Sequence, residues 1–290
     1  LWYMEQPVNK ALKDLLNNTL LDLEDALKSD VLTYYGSIMD GNENVLRDIV
    51  EDIAKDTNKE QLAVILTTTG GSSTAVERYV NIIRKHYNKI IFIIPDYAYS
   101  AGTIFCMSGD EIWMDYFSVL GPIDPQIRNK DGKFVPALGY LDKINEFIEK
   151  ANKNTLTQAE FLILKDFDLA ELRAYEQAKE LTVELLKKWL VKYKFKNWSK
   201  HKSNGKDVTI EEKIQKAEEI AANLGDNKKW KSHGRPINIE ELEELGLKIE
   251  DYTNKADYNN KIRNYYKLLL NYLDTYNMRN SIFVHTRKFI

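Results

Sequence analysis

The chain has 290 residues, 29% charged and 43% hydrophobic, a balance that excludes disordered and fibrous classes and leaves an ordinary globular protein. Its formal net charge of -3 and pI near 6.0 provide no global attraction to nucleic acid or to an anionic membrane. The single cysteine, Cys106, allows no internal disulfide and belongs to no CxxC or Cys/His cluster, so neither a metal nor another cofactor is expected.

Residues 9–27 carry Leu12, Leu15, Leu16, Leu20, Leu23 and Leu27 at helical spacing, which predicts an opening helix. The segment VLTYYGSI (31–38) is β-branched and aromatic and is followed by the turn residues DGNEN, then by helical spacing through Val45, Ile49 and Ile53. LAVILTTTGG (62–71) is apolar on consecutive positions, as in a strand covered on both faces, and ends in paired glycines. A helix over 74–86 leads to a second buried strand, IIFIIP (90–95), then a helix over 100–107 and a strand EIWM (111–114). Alternating strands and helices predict an α/β fold with a parallel sheet wound by right-handed crossovers.

Beyond Gly121 the pattern is helical and charged over 141–198, with a weak break at 152–157 and a Lys-rich loop at 199–207. Further helices are expected over 210–224, 238–245 and 258–276, and SIFVHT near the end can form a short strand. No apolar run approaches the roughly 18 to 20 residues needed to cross a bilayer. The N-terminal residues lack the basic-then-apolar pattern of a secretory signal, so the expected setting is the cytoplasm. The aromatic residues Trp189, Tyr193, Phe195 and Trp198 among lysines read as a core stripe with a solvated face.

IIPDYAYSAGT is the most informative segment: a buried strand ends at Pro95, a tight loop follows, and Ser100 stands directly before a helical run. A hydroxyl there meets unpaired backbone N–H groups and the positive end of a helix dipole, both of which favour developing negative charge. Serine is also a favoured N-cap, so Ser100 alone says no more than that. TTTGGSS ends the neighbouring buried strand, and parallel strands finish at the same sheet edge, so Gly70 or Gly71 can present an N–H beside Ser100.

With SVLGPIDPQ (118–126), VPALGYLDK (135–143) and KSHGRPI (231–237), these motifs resemble the Clp-protease/crotonase superfamily, and more closely the serine dehydrogenase proteinase family, which includes relatives of signal peptide peptidase A. The resemblance runs over roughly 31–251. It implies stacked ββα units around a parallel sheet with a helical C-terminal extension. Together with the helical patterns on either side, this gives an expected division into an N-terminal helix (1–30), a catalytic core (31–140), a helical extension returning to the core (141–256) and a C-terminal helix and tail (257–290). Ser100 takes the nucleophile's place, Gly70, Gly71 and Ala101 supply oxyanion donors, and the GPIDPQ loop lines the substrate groove.

The general base stays open at this point. The Clp-type histidine is missing from the GPIDP stretch. His86 and His201 read as surface and His285 as structural, whereas His233 lies in KSHGRPI, and imidazole as a side-chain type suits proton transfer near neutral pH. Lys143 is the rival, as in Ser-Lys peptidases, but needs burial among apolar groups to lose its proton. Asp124 either orients His233 or caps the GPIDP turn; if it stood between base and serine the arrangement would fail. The leading expectation is a serine peptidase acting on a peptide or protein substrate, assembled as a homo-oligomer and served by a substrate-delivery partner. Acyl-CoA chemistry of the crotonase type, or an inactive binding or assembly protein, are the alternatives.

Overall fold

The computed structural model describes residues 7–128, 134–201 and 205–289, so part of the Lys-rich loop (202–204) lies outside the described residues. After helix α1 (Pro7–Leu27) come strand β1 (Asp30–Tyr35), α2 (Glu43–Thr57), β2 (Gln61–Thr67), α3 (Ser73–His86) and β3 (Lys89–Ile94). A short strand β4 (Tyr97–Ala98) precedes α4 (Ala101–Cys106), β5 (Glu111–Met114) and β6 (Val119–Leu120), followed by β7 (Gln126–Arg128) and β8 (Phe134–Pro136). The helical section comprises α5 (Ala137–Asn152), α6 (Gln158–Lys165) and α7 (Leu169–Trp189), which runs into a π-helical turn (Leu190–Lys194). The remaining elements are α8 (Ile210–Leu224), α9 (Asn227–Trp230), α10 (Ile239–Glu244), β9 (Glu250–Asp251), α11 (Ala256–Thr275) and β10 (Phe283–His285).

The main sheet has the order β10-β1-β2-β3-β5-β9, and every pairing is parallel except that of β10 with β1. Its central strands are covered on both sides, which explains their uninterrupted apolar sequence. On β2, Leu62, Val64 and Leu66 join the core shared with α2, α3, α4 and α7, while Ala63 and Ile65 join the core under α1 and α11. β3 divides the same way, with Ile90, Phe92 and Ile94 on the first face and Ile91 and Ile93 on the second. Burying each of the larger of these side chains contributes roughly 1.5–3 kcal/mol. The residues after 257 are therefore woven into this sandwich, through α11 on one face and β10 at the sheet edge.

Apart from the one-turn α9, which no periodicity marks, the helices and the strands β1, β2, β3, β5 and β10 stand close to their predicted places. β4, β6, the β7–β8 hairpin and β9 carry no periodic signal, because each is only two or three residues long.

Candidate active site

β2 and β3 run parallel and end at the same edge, and the loops leaving them build the site. The β2 loop is stitched to its neighbours by main-chain bonds. Thr68 N–H donates to Tyr97 O (3.2 Å), Tyr99 N–H to Thr68 O (3.0 Å), Ile38 N–H to Gly70 O (2.9 Å) and Ser72 N–H to Ile38 O (2.9 Å). Gly71 has φ +145°, and a Cβ there would fall 2.0 Å from Ile38 O. Gly70 has φ +105°, and a Cβ there would meet Ser100 Cβ and Tyr99 O, each at 2.8 Å. Both positions thus require glycine for conformation and for closeness, and Gly70 lies against Ser100.

Ser100 has φ 54° and ψ -117°, a conformation that costs a non-glycine residue about 1–3 kcal/mol. Its side chain does not cap α4, so the N-cap reading does not account for it. The corner is braced from behind by the buried Thr103, whose hydroxyl lies 2.9 Å from Ala98 O and 2.8 Å from Gly121 O and accepts from Gly121 N–H at 3.1 Å. Tyr99 stacks on Tyr97 and packs over Gly121, where a Cβ would come within 2.3 Å of its ring.

Of the three expected oxyanion donors, the N–H of Gly70 is already given to Thr68 Oγ1 at 3.0 Å. No hydrogen bond within the described residues takes the N–H of Gly71 or of Ala101, the first residue of α4. The two groups left open are therefore a main-chain donor from the glycine pair and one at the start of a helix.

Ser100 lines a groove of about 940 Å3 whose walls include Ile38, Met39, Gly71, Ile104, Ile123, Pro125, Gln126, Leu181 and His233. The GPIDPQ loop and His233, far apart in sequence, thus share one cavity with the serine. Leu120 and Ile237 form an antiparallel bridge, with Leu120 N–H donating to Ile237 O at 3.0 Å and Ile237 N–H to Leu120 O at 2.9 Å. That bridge carries the 231–237 loop to the loop after β6. There His233 Nδ1 donates to Asp124 Oδ1 at 2.8 Å across 109 positions of sequence. Asp124 is buried and His233 half-buried. A carboxylate on Nδ1 fixes the tautomer that leaves Nε2 unprotonated, so Asp124 holds the far ring nitrogen and does not stand between base and serine.

Lys143 is not brought into this groove. It is exposed on α5, pairs with Glu146 at 2.8 Å and lies over the Phe147 ring at 5.2 Å, without the apolar enclosure that a neutral amine needs. His201 pairs with Glu212 at 3.0 Å, and His285 is buried between Tyr265 and Asn17. Among the described residues no group of three or more His, Cys, Asp or Glu could hold a metal ion, and no helix is long and apolar enough to cross a membrane. The site residues that sequence reasoning passed over are Thr103 and the Leu120–Ile237 bridge; neither has a signal in a single sequence, since the Thr103 hydroxyl bonds only main-chain atoms and the bridge is made of main-chain atoms alone.

A family model for ClpP-like SDH-type serine proteinases matches residues 31–215, a span that includes Gly71, Ser100 and Asp124 and stops short of His233. Two uncharacterized proteins of Methanocaldococcus jannaschii are similar, one 32% identical over 186 residues and the other 29% identical over 188 residues. Each alignment covers 64% of this chain but 51% and 52% of the relatives, so the chain spans about half the length of the curated relatives it matches.

Proposed function

The chain belongs to the family of ClpP-like SDH-type serine proteinases, and from that premise we propose that it is a peptidase whose nucleophile is Ser100. His233 Nε2 takes the Ser100 proton as Oγ attacks the scissile carbonyl, forming the C–O bond of a tetrahedral intermediate. The negative charge on the former carbonyl oxygen is met by the N–H groups of Gly71 and Ala101, aided by the positive end of α4. The imidazolium then protonates the departing amine as the C–N bond breaks, leaving an acyl ester on Ser100. Water, deprotonated by the same ring, hydrolyses that ester and returns the proton to Ser100. Asp124 keeps the imidazole in its working tautomer and stabilises its charged form; it is a positioning residue.

The observation that carries this reading is the cavity shared by Ser100, Gly71 and His233, with the other nitrogen of His233 held by a buried carboxylate. Lys143 is the weaker base because it is exposed and ion-paired. The preference for peptides over other acyl substrates rests on the family. A homo-oligomer is part of the proposal, supported by α6, where Phe161, Leu162 and Ile163 are each more than half exposed. A fluorophosphonate probe tests the core of it: wild type is labelled and Ser100→Ala is not. Absence of labelling in wild type, together with no Ser100-dependent hydrolysis of an unfolded protein substrate, overturns it.

A further inference from the structure

At the opposite end of the sheet from Ser100, where the parallel strands begin, lies a second cavity of about 280 Å3. Its lining comes from Lys89 at the start of β3, Glu111 at the start of β5, Glu250 at the start of β9, and the π-helical turn with the residues just after it. The charges pair off with one exception. Lys89 meets Glu111 at 2.6 Å, Lys248 meets Glu250, and Lys196 and Arg84 both meet Asp110, the latter at 2.9 Å. The ammonium of Lys194, half-buried in the same wall, has no hydrogen bond or ion pair among the described residues.

The backbone that places Lys194 is itself unusual. α7 gives way to a π-helical turn over Leu190–Lys194, closed by Phe195 N–H donating to Leu190 O at 2.8 Å. Such turns are disfavoured relative to continued α-helix and recur at functional sites. Here the turn sets Tyr193 under the Arg84 guanidinium, 3.7 Å from the ring centroid, and Lys194 into the cavity.

We propose that this cavity binds a small anion, a phosphate or a carboxylate, with Lys194 as its principal cationic ligand. A desolvated ammonium without a counterion is destabilised, and an anion restores what burial removes. Burial holds the Lys194 ammonium down to about 8, against the partial support of Glu111, Glu250 and Asp110 and with Lys248 opposing it. An anion seated beside Lys194 pulls its proton affinity back up, so binding near pH 8 takes up protons from the buffer. The site is independent of the Ser100 groove.

The test uses the whole chain and two probes, inorganic phosphate and acetate, in calorimetry at pH 8 in two buffers of different ionisation enthalpy at constant chloride-matched ionic strength. Wild type is expected to bind one or both, with net proton uptake; which probe binds distinguishes phosphate from carboxylate ligands. Lys194→Met, whose fold is checked by circular dichroism, is expected to bind roughly tenfold or more weakly and without uptake. Lys85→Met, an exposed control on α3, is expected to behave as wild type. If Lys194→Met does not fold, Lys194→Arg serves, and it is expected to bind without proton uptake. No binding of either probe to wild type, unchanged binding in Lys194→Met, or unchanged proton uptake in Lys194→Arg overturns the proposal.

Discussion

Asp124 and His233 meet at 2.8 Å through Oδ1 and Nδ1, although one follows β6 and the other lies just before a main-chain bridge back to β6. Because the acid occupies Nδ1, the ring's second nitrogen is the one available to the groove. Asp124→Asn keeps the size of the side chain but can favour the opposite tautomer. Turnover of an unfolded protein substrate is expected to fall by about 10^2- to 10^4-fold at constant pH, with KM little changed. A fall in KM-dependent binding with kcat intact would contradict the role given to Asp124.

Ser100 stores conformational strain that glycine would not feel. Ser100→Ala keeps the unfavourable φ of 54°, whereas Ser100→Gly releases it. Both variants are expected to be inactive, with Ser100→Gly more stable than Ser100→Ala by about 1 kcal/mol in urea unfolding. Equal midpoints would show that the corner is not under strain.

The glycine pair is expected to fail in two different degrees. In Gly71→Ala the new methyl would sit 2.0 Å from Ile38 O, so the loop must move and take its open N–H with it. Stability should drop by about 2 kcal/mol or more and labelling by a fluorophosphonate should vanish. Gly70→Ala presses on Ser100 Cβ and Tyr99 O at 2.8 Å, and is expected to slow labelling while the fold survives.

Thr103→Val replaces a hydroxyl with a methyl of like volume between Ala98, Gly121 and the Ser100 corner. With its partners left buried, the variant is expected to lose about 1–3 kcal/mol and to slow acylation of Ser100. Urea midpoints and labelling rates check the two effects separately.

His285 gives the molecule an acid-sensitive joint. Burial lowers its pKa from 6.5 to about 3, and Lys13 adds to the effect. The neutral ring accepts from Tyr265 O–H and donates to Asn17 Oδ1, each at 2.8 Å. The unfolded chain therefore binds a proton that the folded chain refuses. This contribution to stability is complete above pH 6.5 and declines as pH falls from there toward 3. His285→Gln is expected to flatten the urea-midpoint profile across that window relative to wild type.

Much of this architecture is written in local pattern. β2 and β3 announce themselves by unbroken apolar runs, and the serine corner by a buried strand ending shortly before a helix. Which N–H groups remain open is not written there, because it depends on Thr68 bonding Gly70, a contact between neighbours whose geometry only the folded loop decides. The same holds for the base. His233 and Asp124 were readable as candidates, but their order in the site depended on the Leu120–Ile237 bridge, which uses main-chain atoms common to all residues. Lys143 illustrates the converse: its place in the sequence suggested a role, and its exposure on α5 leaves it an ordinary charged side chain.

The Leu120–Ile237 bridge consists of two amide hydrogen bonds outside the six-stranded sheet, between two residues that are themselves fully buried in the core. Separating them would also bring two core side chains into water, so packing as well as main-chain bonding holds the segment that carries the imidazole. The base is accordingly anchored from inside the molecule, and amide deuterium uptake at Ile237 is expected to be slow; rapid uptake would show the anchor to be loose.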